Sequence, residues 1–149
     1  MNELKPILLA EDNPKDVELT LEALSNYNLL NRITVVGDGV EVLAYLRCQG
    51  KHSLRKPGNP AVLILDIKMP RMDGIEVLRV MRADPLLKTI PIVMLTSSRE
   101  EQDLVKTYEL GVNAYVVKPV KFSEFIEVVK HLGIFWAILN ELPAEGTHA

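Results

Sequence analysis

Five short runs of apolar residues punctuate the chain, at 6–10, 32–36, 61–65, 91–95 and 114–117. Within them Val, Ile, Leu and Ala follow one another with little polar alternation, the pattern of parallel strands covered on both faces. The segments between them carry helix signals. Asn13 offers an N-cap, Pro14 suits the first helical position, and Asp16 falls in the first turn. Val17, Leu21 and Leu24 then recur at helical spacing. Asp38 with Glu41, Asp73 with Glu76, and Ser98 with Glu101 each pair a cap residue with a carboxylate three positions on. Phe122, Phe125, Ile126, Val129 and Leu132 form one stripe in the last segment. Five strands alternating with five helices predict an α/β fold, a (βα)5 doubly wound sheet of five parallel strands with right-handed crossovers. The connection 49–59 is longer than such units usually need.

Composition narrows the function. At 149 residues the chain has the size of one domain, and 48% hydrophobic residues suffice for a substantial core. Lys plus Arg number 17 against 20 Asp plus Glu, a formal charge of -3. No basic face gathers, so a nucleic-acid partner is not expected; Lys51, His52, Arg55 and Lys56 read as a solvated loop. The single cysteine, Cys48, is expected inside the second helix; it excludes an internal disulfide and suits a reducing compartment. The N-terminus has no secretory pattern, and the apolar stretch 134–139 is too short to cross a bilayer. A cytoplasmic protein without a membrane partner is expected. His52, His131 and His148 share no metal-binding spacing.

The strand ends carry the chemistry. Glu11 and Asp12 follow the first strand, Asp66 the third, Thr96 the fourth, and Lys118-Pro119 the fifth. In an open parallel sheet ligands bind beyond the carboxyl ends of the strands, where the strand order reverses. Three carboxylates, a hydroxyl and an ammonium from four regions thus converge on one edge. Crowded carboxylates repel one another and suit a hard divalent cation, Mg²⁺ or Mn²⁺. One of them can then attack phosphorus, which needs positioning and charge cancellation more than covalent help. Pro119 allows a cis peptide, although only roughly 5–6% of X–Pro bonds are cis.

LLAEDN at 8–13, LILDIKMPRMDG at 63–74, IVMLTSS at 92–98 and AYVVKP at 114–119 together resemble the signature of response-regulator receiver domains, in the family's order and across nearly the whole chain. The resemblance implies the flavodoxin-like strand order 2-1-3-4-5 and one receiver domain over 1–149. It implies Asp66 as phosphoacceptor, Asp12 as a direct metal ligand, Glu11 orienting metal-bound water, and the Lys68 backbone carbonyl as a further ligand. Thr96 becomes the switch hydroxyl, Lys118 the phosphate-pairing lysine and Tyr115 the aromatic switch. Such a protein is a phosphoacceptor switch of a two-component phosphorelay that assists its own phosphorylation and dephosphorylation, not an enzyme. The 49–59 connection and the tail HLGIFWAILNELP are similar to small stand-alone regulators paired with cyanobacterial phytochromes, which implies a phytochrome-type sensor histidine kinase as partner and a separate downstream protein. Lys68 and Ser98, two residues after Asp66 and Thr96, stand where hydrolysis of the acyl phosphate is tuned.

Taken singly, each residue has a structural reading. Glu11-Asp12 can cap a helix, though Asn13 already does so. Thr96 and Lys118 are ordinary anywhere but at strand ends, and Tyr115 on residue type alone is core. Asp66 is different, because an unpaired carboxylate closing an apolar strand is costly. An aspartate-nucleophile phosphatase would want a second Asp at position 68, where Lys68 stands. A flavodoxin-like cofactor binder would want a phosphate-cradling loop where Glu11-Asp12 repel phosphate. A phosphorylation-independent pseudo-receiver remains the alternative. From Gly133 to Leu139 polar positions vanish, so the last helix is expected to extend, with 133–142 as a dimer or packing segment. Phe135, Trp136 and Leu139 are the candidate homodimer contacts.

Overall fold

The apolar runs become five strands: β1 Ile7–Ala10, β2 Ile33–Val36, β3 Val62–Asp66, β4 Ile92–Thr96 and β5 Tyr115–Val117. The computed structural model describes residues 5–112 and 114–139, with the backbone alone for 26–28, 136 and 139. Every neighbouring pair is parallel, and the order is β2-β1-β3-β4-β5, as expected. The helices are α1 Pro14–Ala23, α2 Gly39–Leu46, α3 Gly74–Ala83, α4 Arg99–Thr107, α5 Phe122–His131 and α6 Phe135–Leu139.

Successive strand residues serve opposite layers, which is why the runs show no alternation. Leu8, Leu63, Leu65 and Met94 pack with Leu46 of α2 and Leu78 of α3. Ile7, Leu9, Ile64, Val93 and Leu95 pack on the other side with Phe125 and Val129 of α5 and with Ile138 of α6. The cap signals are realised. Asn13 Oδ1 accepts from the Lys15 and Asp16 amides, Asp38 from Glu41, and Ser98 from Glu101. At α3, Asp73 and Glu76 close a reciprocal capping box.

Two expectations need correction. The last helix does not extend through the tail. Gly133 takes a left-handed φ of 75°, and the amides of Gly133 and Ile134 donate back to the Lys130 and Val129 carbonyls. That paired closure ends α5, and glycine enters it without steric penalty. The short α6 then turns back on its own chain. Ile138 is fully buried, and Arg32 donates to the carbonyls of Ala137 and Ile138 while also holding the Lys5 carbonyl. Phe135 is half-buried on the same layer; the side chains of Trp136 and Leu139, and residues 140–142, lie outside the described residues.

Cys48 lies beyond α2, not within it. Its φ is 54°, and bonds from Cys48 to Tyr45 and from Gln49 to Ala44 form the same closure without a glycine. The 49–59 connection is mostly exposed, as expected, and is anchored as well. Lys51 and His52 meet Glu41, and the Arg55 guanidinium lies 4.1 Å over the Tyr45 ring while bonding the Tyr45 carbonyl.

Truncating Ile138 to Ala empties a filled site, so the protein should lose about 2–5 kcal/mol of stability in urea denaturation. An unchanged unfolding midpoint would mean that α6 contributes nothing to the fold.

Candidate phosphoryl and metal site

Strand register places the chemistry. Asp66 is the last residue of β3 and Thr96 the last of β4, while Glu11 and Lys118 directly follow β1 and β5. The Glu11 amide donates to Val36 at the end of β2, and the Lys118 amide to Thr96 at the end of β4. Each loop therefore leaves the sheet at the same level. The loop after β3 is held close: a Cβ on Gly74 would meet the Asp66 carbonyl, and one on Gly39 the Met72 carbonyl. At both positions backbones approach where only glycine fits. The Lys118-Pro119 peptide is cis.

Lys118 organises the pocket. Its ammonium stands 3.2 Å from Asp66 Oδ1, 3.2 Å from Glu11 Oε1 and 3.1 Å from Asp16 Oδ2. Asp66 also accepts from the Ile67 amide, and Glu11 from that of Asn13. Glu11 and Asp66 are buried, whereas Asp12 stands exposed at the mouth. Oxygens of Glu11, Asp12 and Asp66 all lie within 4.8 Å of one another.

The sequence alone marks Asp16 as a helix-start residue and nothing more. Its position in the first turn of α1, four residues after Asp12, was the available signal. The contact with Lys118, 102 positions away, needed the fold.

Burial pushes the Glu11 carboxyl up to about 7, assisted by the charge of Asp66 and a hydrogen bond shared with it. Burial also raises Asp66, although the bond from Glu11 and the Lys118 ammonium oppose it. The two buried carboxylates thus favour holding a proton between them. Burial alone would lower Lys118, but Asp66, Asp16 and Glu11 together drive it well above the ordinary lysine range. Three carboxylates face one ammonium, and Glu11, Asp12 and Asp66 form an all-oxygen group that fits a hard divalent cation such as Mg²⁺ or Mn²⁺.

Thr96 is fully buried, and its hydroxyl is the buried side-chain polar atom without a hydrogen-bond partner among the described residues. Such an orphan costs about 1–3 kcal/mol. The side chains of two expected site residues make contacts of their own, although the expectation for Lys68 concerns its backbone carbonyl. Tyr115 is half-buried and donates its hydroxyl to the Val112 carbonyl, and the mostly exposed Lys68 side chain reaches Glu101 at 3.5 Å.

A family model described as the response regulator receiver domain matches residues 7–130. The chain belongs to that family. It is 35% identical over 143 residues to response regulator Rcp1 of Synechocystis sp., covering 96% of each chain. The bacteriophytochrome response regulator AtBRR is 56% identical, with a TM-score of 0.87 over 94% of this chain and 100% of that one. The Mn²⁺-bound form of Rcp1 has a TM-score of 0.69 at 35% identity, covering 94% and 99%. Among the described residues no helix is long and apolar enough to cross a membrane.

The raised Glu11 pKa carries a pH dependence. A carboxyl that titrates higher in the folded state stabilises the fold below its ordinary range, and that contribution is lost as pH rises through about 7. A cation needs the ionised form. The rise in melting temperature caused by Mg²⁺ should therefore be larger at about pH 8 than at about pH 6. A pH-independent rise would remove Glu11 from the cation site.

Proposed function

We propose that this chain is a single-domain response regulator whose Asp66 accepts a phosphoryl group from a phosphohistidine on a sensor histidine kinase. The observation that carries the reading is Asp66 itself, a buried carboxylate in contact with Lys118, inside an acidic cluster and beside an orphan hydroxyl. A bound divalent cation supplies charge neutralisation for the crowded carboxylates and the incoming phosphoryl oxygens. The remaining work falls to this chain.

An Asp66 carboxylate oxygen attacks phosphorus. The new O–P bond forms as the P–N bond to the donor imidazole breaks, with its electron pair returning to the ring nitrogen. Lys118 follows the negative charge from the carboxylate to the phosphoryl oxygens, because Asp66 as an acyl phosphate no longer bears it on its carboxyl group. Thr96 turns its hydroxyl to a phosphoryl oxygen, and Tyr115 responds to that movement, shifting a population between two packings. Glu11, Asp12 and Asp66 would hold the cation, Asp12 as a direct ligand and Glu11 by orienting metal-bound water, with the Lys68 carbonyl as a further ligand. Attack of water on the acyl phosphate then resets the switch, and output passes to a separate protein.

The partner kinase in this reading is a phytochrome-type light sensor. Support comes from the kinship over nearly full length with regulators described as phytochrome or bacteriophytochrome response regulators. Pairing of two copies through Phe135, Trp136 and Leu139 is part of the reading too. The burial of Ile138 shows that some of the tail's apolar surface is already used within one chain.

Incubation with acetyl phosphate and Mg²⁺ should add the mass of one phosphoryl group to the wild type and none to Asp66→Asn, whose fold the near-isosteric change preserves. Equal labelling of the two would defeat the assignment. Lys118→Ala should still bind Mg²⁺ yet label about 10–100-fold more slowly, the loss expected for a charge-assisted contact. Labelling at the wild-type rate would take Lys118 out of the site.

A further inference from the structure

Asp16 sits three residues after the N-cap Asn13, where an acidic side chain ordinarily reaches back to the N-cap amide. The same protein shows that arrangement at α3, where Glu76 Oε1 accepts from the Asp73 amide at 3.2 Å. At α1 the arrangement is broken. The Asn13 amide donates to Glu11 Oε2, and the Asp16 carboxylate turns instead to Lys118. Helix capping therefore leaves the direction of Asp16 unexplained.

Lys118 has three N–H donors, and three carboxylates stand within 3.2 Å of them. Two of these contacts are hydrogen bonds, to Glu11 and Asp16, and Asp66 completes the set as an ion pair. The side chains of Glu11 and Asp66 are 0% and 6% exposed, whereas that of Asp16 is 31% exposed. Asp16 thus holds the ammonium from the solvent side, the side from which a phosphodonor arrives. Phosphorylation ends the pair with Asp66, and a phosphoryl oxygen that draws the ammonium further competes with Glu11 and Asp16, of which the less buried Asp16 is the more readily exchanged.

We infer that Asp16 is a positioning residue which competes with the phosphoryl group for the Lys118 ammonium and so restrains the rate at which Asp66 is phosphorylated. The inference rests on the reading of Asp66 as phosphoacceptor. No atom is transferred to Asp16; one ion pair is exchanged for another.

The test follows labelling by acetyl phosphate and Mg²⁺ in time, at about 1 M salt, where a screening length of about 3 Å suppresses long-range field effects. Asp16→Asn should label about three- to tenfold faster than wild type, and Asp16→Glu, which keeps the charge at the helix start, should stay near wild type. In a Lys118→Ala background, Asp16→Asn should change nothing, because the partner through which Asp16 acts is gone. A rate unchanged or lowered by Asp16→Asn, or the same acceleration with Lys118 absent, would overturn the inference while leaving the phosphoacceptor reading intact. Failure of the wild type to label, or labelling of Asp66→Asn, would bring down both.

Discussion

An ammonium held among carboxylates, at the one edge of the sheet where four loops meet, is the constraint on which this molecule turns. Lys118 touches Glu11, Asp16 and Asp66, groups that enter from the ends of β1, α1 and β3. Removing the ammonium would leave two buried carboxylates facing each other in a medium that punishes uncompensated charge. Retaining it still leaves the carboxylates in excess. The resting pocket is therefore acidic enough to want a cation and already carries one fixed positive group that can pass to new oxygens.

The rest of the architecture keeps those groups at one level. Parallel pairing from β2 to β5 brings the carboxyl ends of the strands together, and both faces are sealed by helices, so the edge is where polar side chains can emerge. Close backbone contacts at Gly39 and Gly74 hold the neighbouring loops against each other. Within this rigid frame the unpartnered Thr96 hydroxyl is an exception that general stability does not explain. A buried donor left without a partner is tolerated where another state of the protein supplies one.

Away from the site, two arginines show how the fold secures segments that the sheet does not hold. Arg32, just before β2, grips the carbonyls of Ala137 and Ile138 at the end of α6 and the Lys5 carbonyl just before β1. Arg55 stacks on Tyr45 and bonds carbonyls at Tyr45, Lys56 and Gly58, giving the long connection after α2 a defined path. In both cases a guanidinium's several donors reach backbone carbonyls in the last turn of a helix and in the chain beyond regular elements.

Much of this was legible along the chain because it depends on local rules. Continuous Val/Ile/Leu runs report a strand buried on both faces, and cap residues report where helices begin, so the order of elements follows from the amino acids alone. Asp66 stood out for the same reason, since a carboxylate closing an apolar strand demands a partner. Gly133 was legible as well, yet the apolar stretch after it masked the stop, and α6 emerged only from the left-handed turn and the burial of Ile138. What residue order did not contain was the identity of partners distant along the chain. Asp16 and Lys118 are separated by 102 positions, and the lone Thr96 hydroxyl is defined by what surrounds it in space. Periodicity and capping act over a few residues, whereas charge pairing and burial depend on the packed arrangement, which is why the elements could be read in sequence and the balance of the pocket only in three dimensions.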